Sequence, residues 1–149
     1  MIRQKTAVTL VELVAVVGIF LIMAAALTPF VRMIKERAGR IACANNLMRI
    51  SLGLHTYASE NNDAFPPNLG ALYPNYINDE KVFDCPMSKT AGTKDAPDYD
   101  YTPGLTEDSP AIDSIVQDLD GNHKGTGGNI LRINGSVEWL GARGAVAKR

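Results

Sequence analysis

The chain has 149 residues, of which 46% are hydrophobic and 21% are charged, and its formal net charge at pH 7 is −1. This length fits one domain and excludes a multidomain enzyme, and the apolar content excludes a disordered chain. Because the charges balance, the sequence carries neither the basic surface of a nucleic-acid-binding protein nor a polybasic membrane patch.

A long apolar segment lies near the N-terminus. Arg3 and Lys5 belong to a short polar leader, and Glu12 is then the only charged residue before Arg32. A helix needs about 20 residues to span a bilayer, so residues 8–31 are predicted to form a transmembrane helix. Basic residues ahead of such a helix place its N-terminus on the cytoplasmic side. A carboxylate inside an apolar segment is costly, so Glu12 indicates a function with a specific partner.

The residue order at this end resembles the N-terminus of type IV pilins and type II secretion pseudopilins. In that superfamily a basic leader ends in a small residue, and an apolar residue, Thr, Leu, an aliphatic residue and Glu follow. Here Ala7 precedes Val8-Thr9-Leu10-Val11-Glu12. The resemblance implies that residues 1–7 are a leader peptide, that a prepilin peptidase cuts between Ala7 and Val8, and that the new Val8 amine is methylated. Family members usually have Gly and Phe at these two positions, so this chain departs from the pattern at both.

The superfamily's function follows as an expectation. The chain is then a bacterial structural subunit, not an enzyme, of a type II secretion pseudopilus or a type IV pilus-like filament. Its partners are copies of itself, minor pilins or pseudopilins, the prepilin peptidase and an inner-membrane assembly platform, with no nucleic acid. It crosses the inner membrane once with a periplasmic head and then enters the filament, inside the envelope or at the cell surface. The alternative is a secreted or membrane-tethered binding domain with a generic signal sequence cut after Ala24-Ala25-Ala26.

The charges at this end of the chain fit that role. Cutting after Ala7 frees an amine at Val8, four residues before Glu12. In a helical assembly the amine of one subunit can lie beside the Glu12 carboxylate of its neighbour, and such a pair is strongly attractive where water is excluded. We therefore expect Glu12 to set the register of assembly.

Beyond the apolar segment, an amphipathic helix is predicted to continue to about Glu60. Pro29 removes one backbone hydrogen bond and predicts either a kink or a helix stop at the membrane edge. Continuation is favoured because apolar residues recur close to the helical period of 3.6. The predicted stripe consists of Phe30, Ile34, Ile41, Leu47, Leu54 and Tyr57, widened by Met48, Ile50 and Ala58. Asn61-Asn62-Asp63 and Pro66-Pro67 predict the helix end.

The head, residues 32–149 including that half of the helix, is predicted to complete an α+β, pilin-like fold with a small C-terminal antiparallel β-sheet. Residues 69–77 predict one short helical turn followed by an extended segment, and residues 82–86 predict a short buried strand or a buried anchor that leads to a turn. Further strands are predicted at 99–101 and 112–119. Asn134-Gly135 predicts a two-residue hairpin turn that pairs Ile130 with Trp139 and Arg132 with Val137. The stretches 43–57 and 118–140 resemble major pseudopilins and related proteins with many paralogues per genome.

Two groups of side chains in the head are candidates for metal binding or cross-linking. Asp118, Asp120 and Asn122 place oxygen atoms at alternate positions around Gly121, which indicates either a calcium loop or a polar turn; no other cofactor is expected. Cys43 and Cys85 form either a disulfide between helix and loop or two separate thiols. Two cysteines cannot make a zinc site by themselves, and His123 has no second His or Cys nearby in the sequence.

Overall fold

The computed structural model describes residues 9–141, so the leader and its cleavage site at Ala7 and Val8 lie outside the described residues. The chain divides into two compact units, residues 1–35 and 36–149. The described residues form helix α1 (Leu10–Glu60), two short 3₁₀ helices (Leu69–Leu72 and Glu80–Phe83) and strands β1 (Tyr99–Tyr101), β2 (Ser114–Asp118), β3 (Asp120–His123), β4 (Gly127–Arg132) and β5 (Val137–Gly141). The predicted α+β class, with a long N-terminal helix and a small antiparallel sheet, is confirmed.

The first unit consists of the apolar half of α1. Its large side chains are exposed, for example Leu10 at 78% and Phe20 at 68%. The helix is long and apolar enough to cross a membrane, with a mean hydropathy of 2.7 over a window of which none is buried. A signal sequence near an N-terminus has the same properties. The structure therefore shows a segment that by length and composition fits a membrane.

The helix continues through Pro29. Because Pro29 has no N–H, the Ala25 carbonyl four residues earlier loses its usual donor. The Thr28 hydroxyl takes the place of that donor, since its Oγ1 donates to the Ala25 oxygen at 2.9 Å. Pro29 therefore lies inside α1 rather than ending it.

In the second unit, α1 buries one narrow face against the core. Its buried apolar side chains are spaced by three or four residues, as one face of an α-helix requires: Cys43, Leu47, Ile50, Leu54 and Ala58. The predicted stripe is wrong at Ile41 and Met48, which are 62% and 54% exposed, and Phe30 and Ile34 are exposed as well. Two residues along a helix correspond to about 200° of rotation. Ile41 and Met48 therefore point away from the face that holds Cys43 and Ile50.

The helix ends at Glu60, as predicted. Asn62 and Asp63 adopt left-handed backbone angles, with φ of 54° and 61°, and the Asp63 N–H donates to the Ala58 carbonyl at 3.0 Å. Asn and Asp tolerate this conformation better than other residues with a side chain. The Asn-Asn-Asp sequence thus turns the chain from the helix into the head.

Two 3₁₀ helices connect α1 to the sheet. The helical turn predicted within residues 69–77 is present at Leu69–Leu72. The extended segment predicted after it is wrong, because residues 73–76 form a turn in which the Tyr76 N–H donates to the Leu72 carbonyl at 2.9 Å. Of the two alternatives for residues 82–86, the strand is wrong, because Glu80–Phe83 form a 3₁₀ helix that the Asp79 side chain caps at its N-terminus. The buried anchor followed by a turn agrees with the structure, since the Ser88 N–H donates to the Cys85 carbonyl at 2.8 Å. Val82 and Phe83 are nevertheless fully buried. The apolar run correctly indicated burial, but a run this short does not distinguish a strand from a helical turn.

The sheet contains four of the strands in the order β1-β2-β4-β5, all antiparallel. The predicted strands at 99–101 and within 112–119 correspond to β1 and β2. Ile115 and Val116 of β2 and Leu131 of β4 join the α1 face in one hydrophobic core. This packing fixes the second unit around its helix.

The predicted hairpin register is wrong by one residue. Leu131 pairs with Val137 and Ile130 with Glu138. The loop has three residues, because the Arg132 N–H donates to the Ser136 carbonyl at 2.9 Å across it. The last loop residue, Gly135, has a φ of 79°, the left-handed conformation that closes a three-residue hairpin loop.

This shift of one residue exchanges the two faces of the hairpin. Trp139 shares a face with Leu131 and Val137, whereas Ile130 lies on the opposite face. Arg132 also lies on that opposite face, where it pairs with Glu138 at 2.9 Å. Trp139 is therefore the hairpin aromatic that faces the helix side of the sheet.

Candidate functional site

Glu12 lies in the first turn of α1, where Thr9 binds its carboxylate. Glu12 Oε2 accepts hydrogen bonds from the Thr9 N–H at 3.1 Å and from Thr9 Oγ1 at 3.0 Å. Thr9 Oγ1 in turn accepts from the Glu12 N–H at 3.3 Å. This reciprocal arrangement is a capping box, which the Thr-x-x-Glu spacing could have revealed in the sequence.

The capping box gives the Glu12 carboxylate hydrogen bonds from Thr9 but no positive charge. Among residues 9–141, no ion pair involves Glu12. The apolar side chains next to it in the chain and one turn further on are exposed, for example Val11 at 77% and Val16 at 50%. The carboxylate is thus positioned by Thr9 on an otherwise uncharged surface.

In the head, Cys43 of α1 and Cys85 are joined by a disulfide with a Cα–Cα distance of 5.5 Å. The sequence had left this pairing open. Asp98 anchors the loop side of the cross-link, because its Oδ2 accepts from the Cys85 N–H at 3.2 Å and its Oδ1 accepts from Thr90 Oγ1 at 2.6 Å. The disulfide therefore ties the helix to a loop that is itself held by a buried carboxylate.

A second buried carboxylate, Asp118, lies at the end of β2. Its Oδ2 accepts hydrogen bonds from the Asn129 backbone N–H at 2.7 Å and side-chain amide at 2.9 Å. His123 is fully buried, and its Nε2 lies 3.1 Å from the same oxygen and 3.8 Å from Cys85 Sγ. Asp118 and His123 thus lie directly against the disulfide.

The structure gives the predicted calcium loop no support. Asp118 uses its carboxylate for Asn129 and His123. Asn122 is buried and donates its side-chain amide to the Asp98 carbonyl at 2.9 Å, whereas Asp120 is exposed. Calcium requires several oxygens that converge on one point, and these three side chains serve different purposes. The calcium site stays a prediction.

Trp139 and Arg40 lie next to His123. The Trp139 ring meets the His123 ring edge-on at 5.2 Å, and the Arg40 guanidinium lies 4.0 Å over the Trp139 ring centre. Arg40 also pairs with Glu36 at 2.6 Å, and its carbonyl accepts from the Asn129 side chain at 3.3 Å. An aromatic ring and a cation thus pack beside the buried polar group.

The other histidine has structural contacts. His55 Nδ1 lies 2.6 Å from Glu107 Oε1, and its ring packs edge-on against Phe65. This side chain joins α1 to the loop before β2. His55 is thus a packing residue on the surface of the helix.

The structure brings together four residues that are distant in the sequence. One ligand atom from each of Cys43, Cys85, Asp118 and His123 lies within 4.8 Å of the others, and all four residues are buried. We call them the buried Cys-Asp-His cluster. The two cysteines could not be assigned to His123 from the sequence, because Cys43 and Cys85 are 80 and 38 positions away from it.

Comparisons with protein-family models, with curated proteins and with solved structures found no match. The resemblance to pilins and pseudopilins therefore stays a prediction from the sequence.

Proposed function

We propose that this protein is a structural subunit of a filament, either a type II secretion pseudopilus or a type IV pilus-like fibre, and that it is inserted in the inner membrane before assembly. One observation carries the proposal: Glu12 lies on the exposed apolar surface of a long helix, and no residue between 9 and 141 forms an ion pair with it. Such a surface needs a cover of lipid or of neighbouring helices, and the charge needs a cation within that cover.

A second copy of the chain supplies both. Neighbouring helices cover the apolar surface, and the Val8 amine that is released by cutting after Ala7 is the cation nearest to this end of the helix. Thr9 holds one Glu12 oxygen, Oε2, which orients the carboxylate and leaves Oε1 for the incoming amine. Removing one partner from a buried ion pair costs about 3–5 kcal/mol, so each contact discriminates strongly between paired and unpaired subunits.

The disulfide in the head supports a location outside the cytoplasm. Its helix and loop are joined by the Cys43–Cys85 disulfide, and disulfides persist in oxidising compartments such as the periplasm. Such a position agrees with the basic leader, which orients the N-terminus toward the cytoplasm. We therefore assign the head to the periplasm before assembly.

The experiment separates the charge of Glu12 from its capping role. Glu12→Gln keeps the capping box, because Gln serves equally well at this position, but it removes the charge. Thr9→Ala keeps the charge and removes the hydroxyl of the cap, at a cost of about 1 kcal/mol. Each variant replaces the native copy in the producing organism, and sheared or sedimented filaments are quantified against the amount of membrane-bound subunit.

We expect Glu12→Gln to abolish filaments while the subunit accumulates in the membrane, and Thr9→Ala to reduce them only moderately. Filaments at the native level from the Gln variant would contradict the proposal, because the carboxylate would then act only as a helix cap. Loss of filaments in Thr9→Ala alone would lead to the same conclusion.

A further inference from the structure

We propose that the buried Cys-Asp-His cluster is a zinc site in the dithiol form of the protein, with Cys43, Cys85, Asp118 and His123 as its four ligands. Two thiolates, one imidazole and one carboxylate are all groups that zinc binds. This inference concerns the head alone and does not depend on the proposed filament function.

The positions of the four side chains are close to those of a tetrahedral site. Zinc bonds of about 2.0–2.3 Å place tetrahedral ligand atoms about 3.3–3.8 Å apart. His123 Nε2 already lies 3.8 Å from Cys85 Sγ and 3.1 Å from Asp118 Oδ2, and the whole set lies within 4.8 Å. Opening the disulfide lets the two sulfur atoms separate to the distance that a shared ion requires.

The two ligands that are not cysteines each carry a buried polar atom without a hydrogen-bond partner among the described residues. Within residues 9–141, Asp118 Oδ1 and His123 Nδ1 are buried and have no hydrogen-bond partner. Buried polar atoms in folded proteins are nearly always paired, because an unpaired one costs free energy. Asp118 and His123 are 8% and 0% exposed, so bulk water does not reach them. Asp118 Oδ1 is therefore available to an ion while Oδ2 accepts from Asn129, whereas His123 Nδ1 stays unpaired when Nε2 binds the ion.

The surroundings would hold the ligands in place. Asp118 accepts two hydrogen bonds from Asn129, which orient the carboxylate as outer hydrogen bonds do in metal sites. The Trp139 ring packs against His123 and carries the Arg40 guanidinium on its face, which favours the negative charge of a site with two thiolates and a carboxylate. Four protein ligands without an open position indicate a structural site rather than a catalytic one.

Zinc binding to the two reduced cysteines involves no oxidation or reduction. Two thiols and one Zn²⁺ form two zinc–thiolate bonds and release two protons, with no change of oxidation state. The disulfide form of this structure has no thiolate and cannot bind zinc in this way. A small dithiol converts one form to the other: it becomes a cyclic disulfide, and its two hydrogens pass to Cys43 and Cys85. Zinc and the disulfide are therefore alternative cross-links between the same helix and loop.

The first test compares two forms of the same full-length protein in detergent micelles. One sample is reduced with a dithiol that is then removed without oxygen, and the other stays oxidised. Both receive Zn²⁺, and bound metal is measured after gel filtration. We expect one zinc per reduced chain and none per oxidised chain. Co²⁺ in the reduced chain should give thiolate-to-cobalt charge transfer and the absorption bands of tetrahedral coordination. A reduced chain that retains no zinc, or a Co²⁺ spectrum without thiolate bands, overturns the proposal.

Substitutions then test the two ligands that are not cysteines. Asp118→Asn and His123→Gln should each weaken zinc binding to the reduced chain at least tenfold, as measured by competition with a chromophoric chelator. Asp120→Asn, an exposed carboxylate two residues further on, is the matched control and should bind as the native chain does. The fluorescence of Trp139 in the oxidised form checks that each variant is folded. If both ligand variants bind zinc with the affinity of the native chain, the four-ligand site is rejected. If a variant does not fold, the comparison of reduced and oxidised native protein alone tests the proposal.

Discussion

Removing the disulfide tests how the head is held together. The Cys43→Ala/Cys85→Ala double variant deletes the cross-link between α1 and the loop after the second 3₁₀ helix. Both cysteines are 0–1% exposed, so the substitution also removes two buried sulfur atoms. A second sample, the native chain with its thiols reduced in the presence of a metal chelator, breaks the same bond and keeps every side chain.

The magnitude follows from the length of the closed loop. The cysteines are 42 positions apart, and in the chain-entropy model the cross-link of such a loop destabilises the unfolded state by about 4 kcal/mol at 25 °C. Domains of this size have total stabilities of about 5–15 kcal/mol. We therefore expect the head to lose a large part of its stability and still to fold at low temperature.

The assay is urea unfolding of the full-length protein in detergent, followed by Trp139 fluorescence. Trp139 is the only tryptophan in the chain, and it packs between Arg40 and His123, so its signal reports on the head. With a urea dependence of about 2 kcal/mol per M, a loss of 4 kcal/mol lowers the midpoint by about 2 M. The reduced native chain should show this shift, and the Ala variant the same shift or a larger one.

A shift of less than about 0.5 M in both samples would refute this reasoning, because 1 kcal/mol is far below the entropic effect of a loop of this length. A large shift in the Ala variant alone would mean that the lost sulfur packing, and not the cross-link, carries the effect.

Two further predictions concern the core. Leu47→Ala should lower the free energy of unfolding by about 2–5 kcal/mol and Ile41→Ala by less than about 1 kcal/mol, because Leu47 is 0% and Ile41 62% exposed; equal losses in urea unfolding would contradict the observed helix face. Burial raises the pKa of the Tyr99 phenol, so the unfolded chain loses that proton first. Stability should fall above about pH 10, by up to about 1.4 kcal/mol per pH unit from this group. Tyr99→Phe should reduce this dependence of stability on pH. A part of it should remain, because burial also raises the pKa of Tyr101, to about 12. An unchanged pH dependence would show that Tyr99 is solvated.

Features that depend on near neighbours in the sequence could be predicted. The length of the apolar segment indicated the helix, Asn61-Asn62-Asp63 indicated its end, and alternation around Asp100 indicated β1. Each of these signals is encoded within a few residues, where helical period, turn chemistry and strand alternation act directly.

Features that depend on how separate elements pack together could not be predicted from the sequence. The hairpin turn was recognised at Asn134-Gly135, but its length depends on whether Gly135 is the last of two or of three loop residues, and one residue reverses the faces. The predicted buried face of α1 was wrong at Ile41 for a similar reason. A long helix has several apolar stripes, and packing against the sheet determines which of them is buried. The buried Cys-Asp-His cluster requires α1, a loop and the segment around β3 to meet at one point.

The mass of the N-terminal peptide tests the central claim most directly. The protein is isolated from membranes or filaments of the organism that produces it, and its first peptide is identified by mass spectrometry. Our account predicts a chain that begins at Val8 with a methylated amine, because that amine is the cation that Glu12 requires. A chain that still begins at Met1, or one that begins near Leu27 after signal-peptide cleavage, would contradict it, because neither presents a new amine four residues before Glu12.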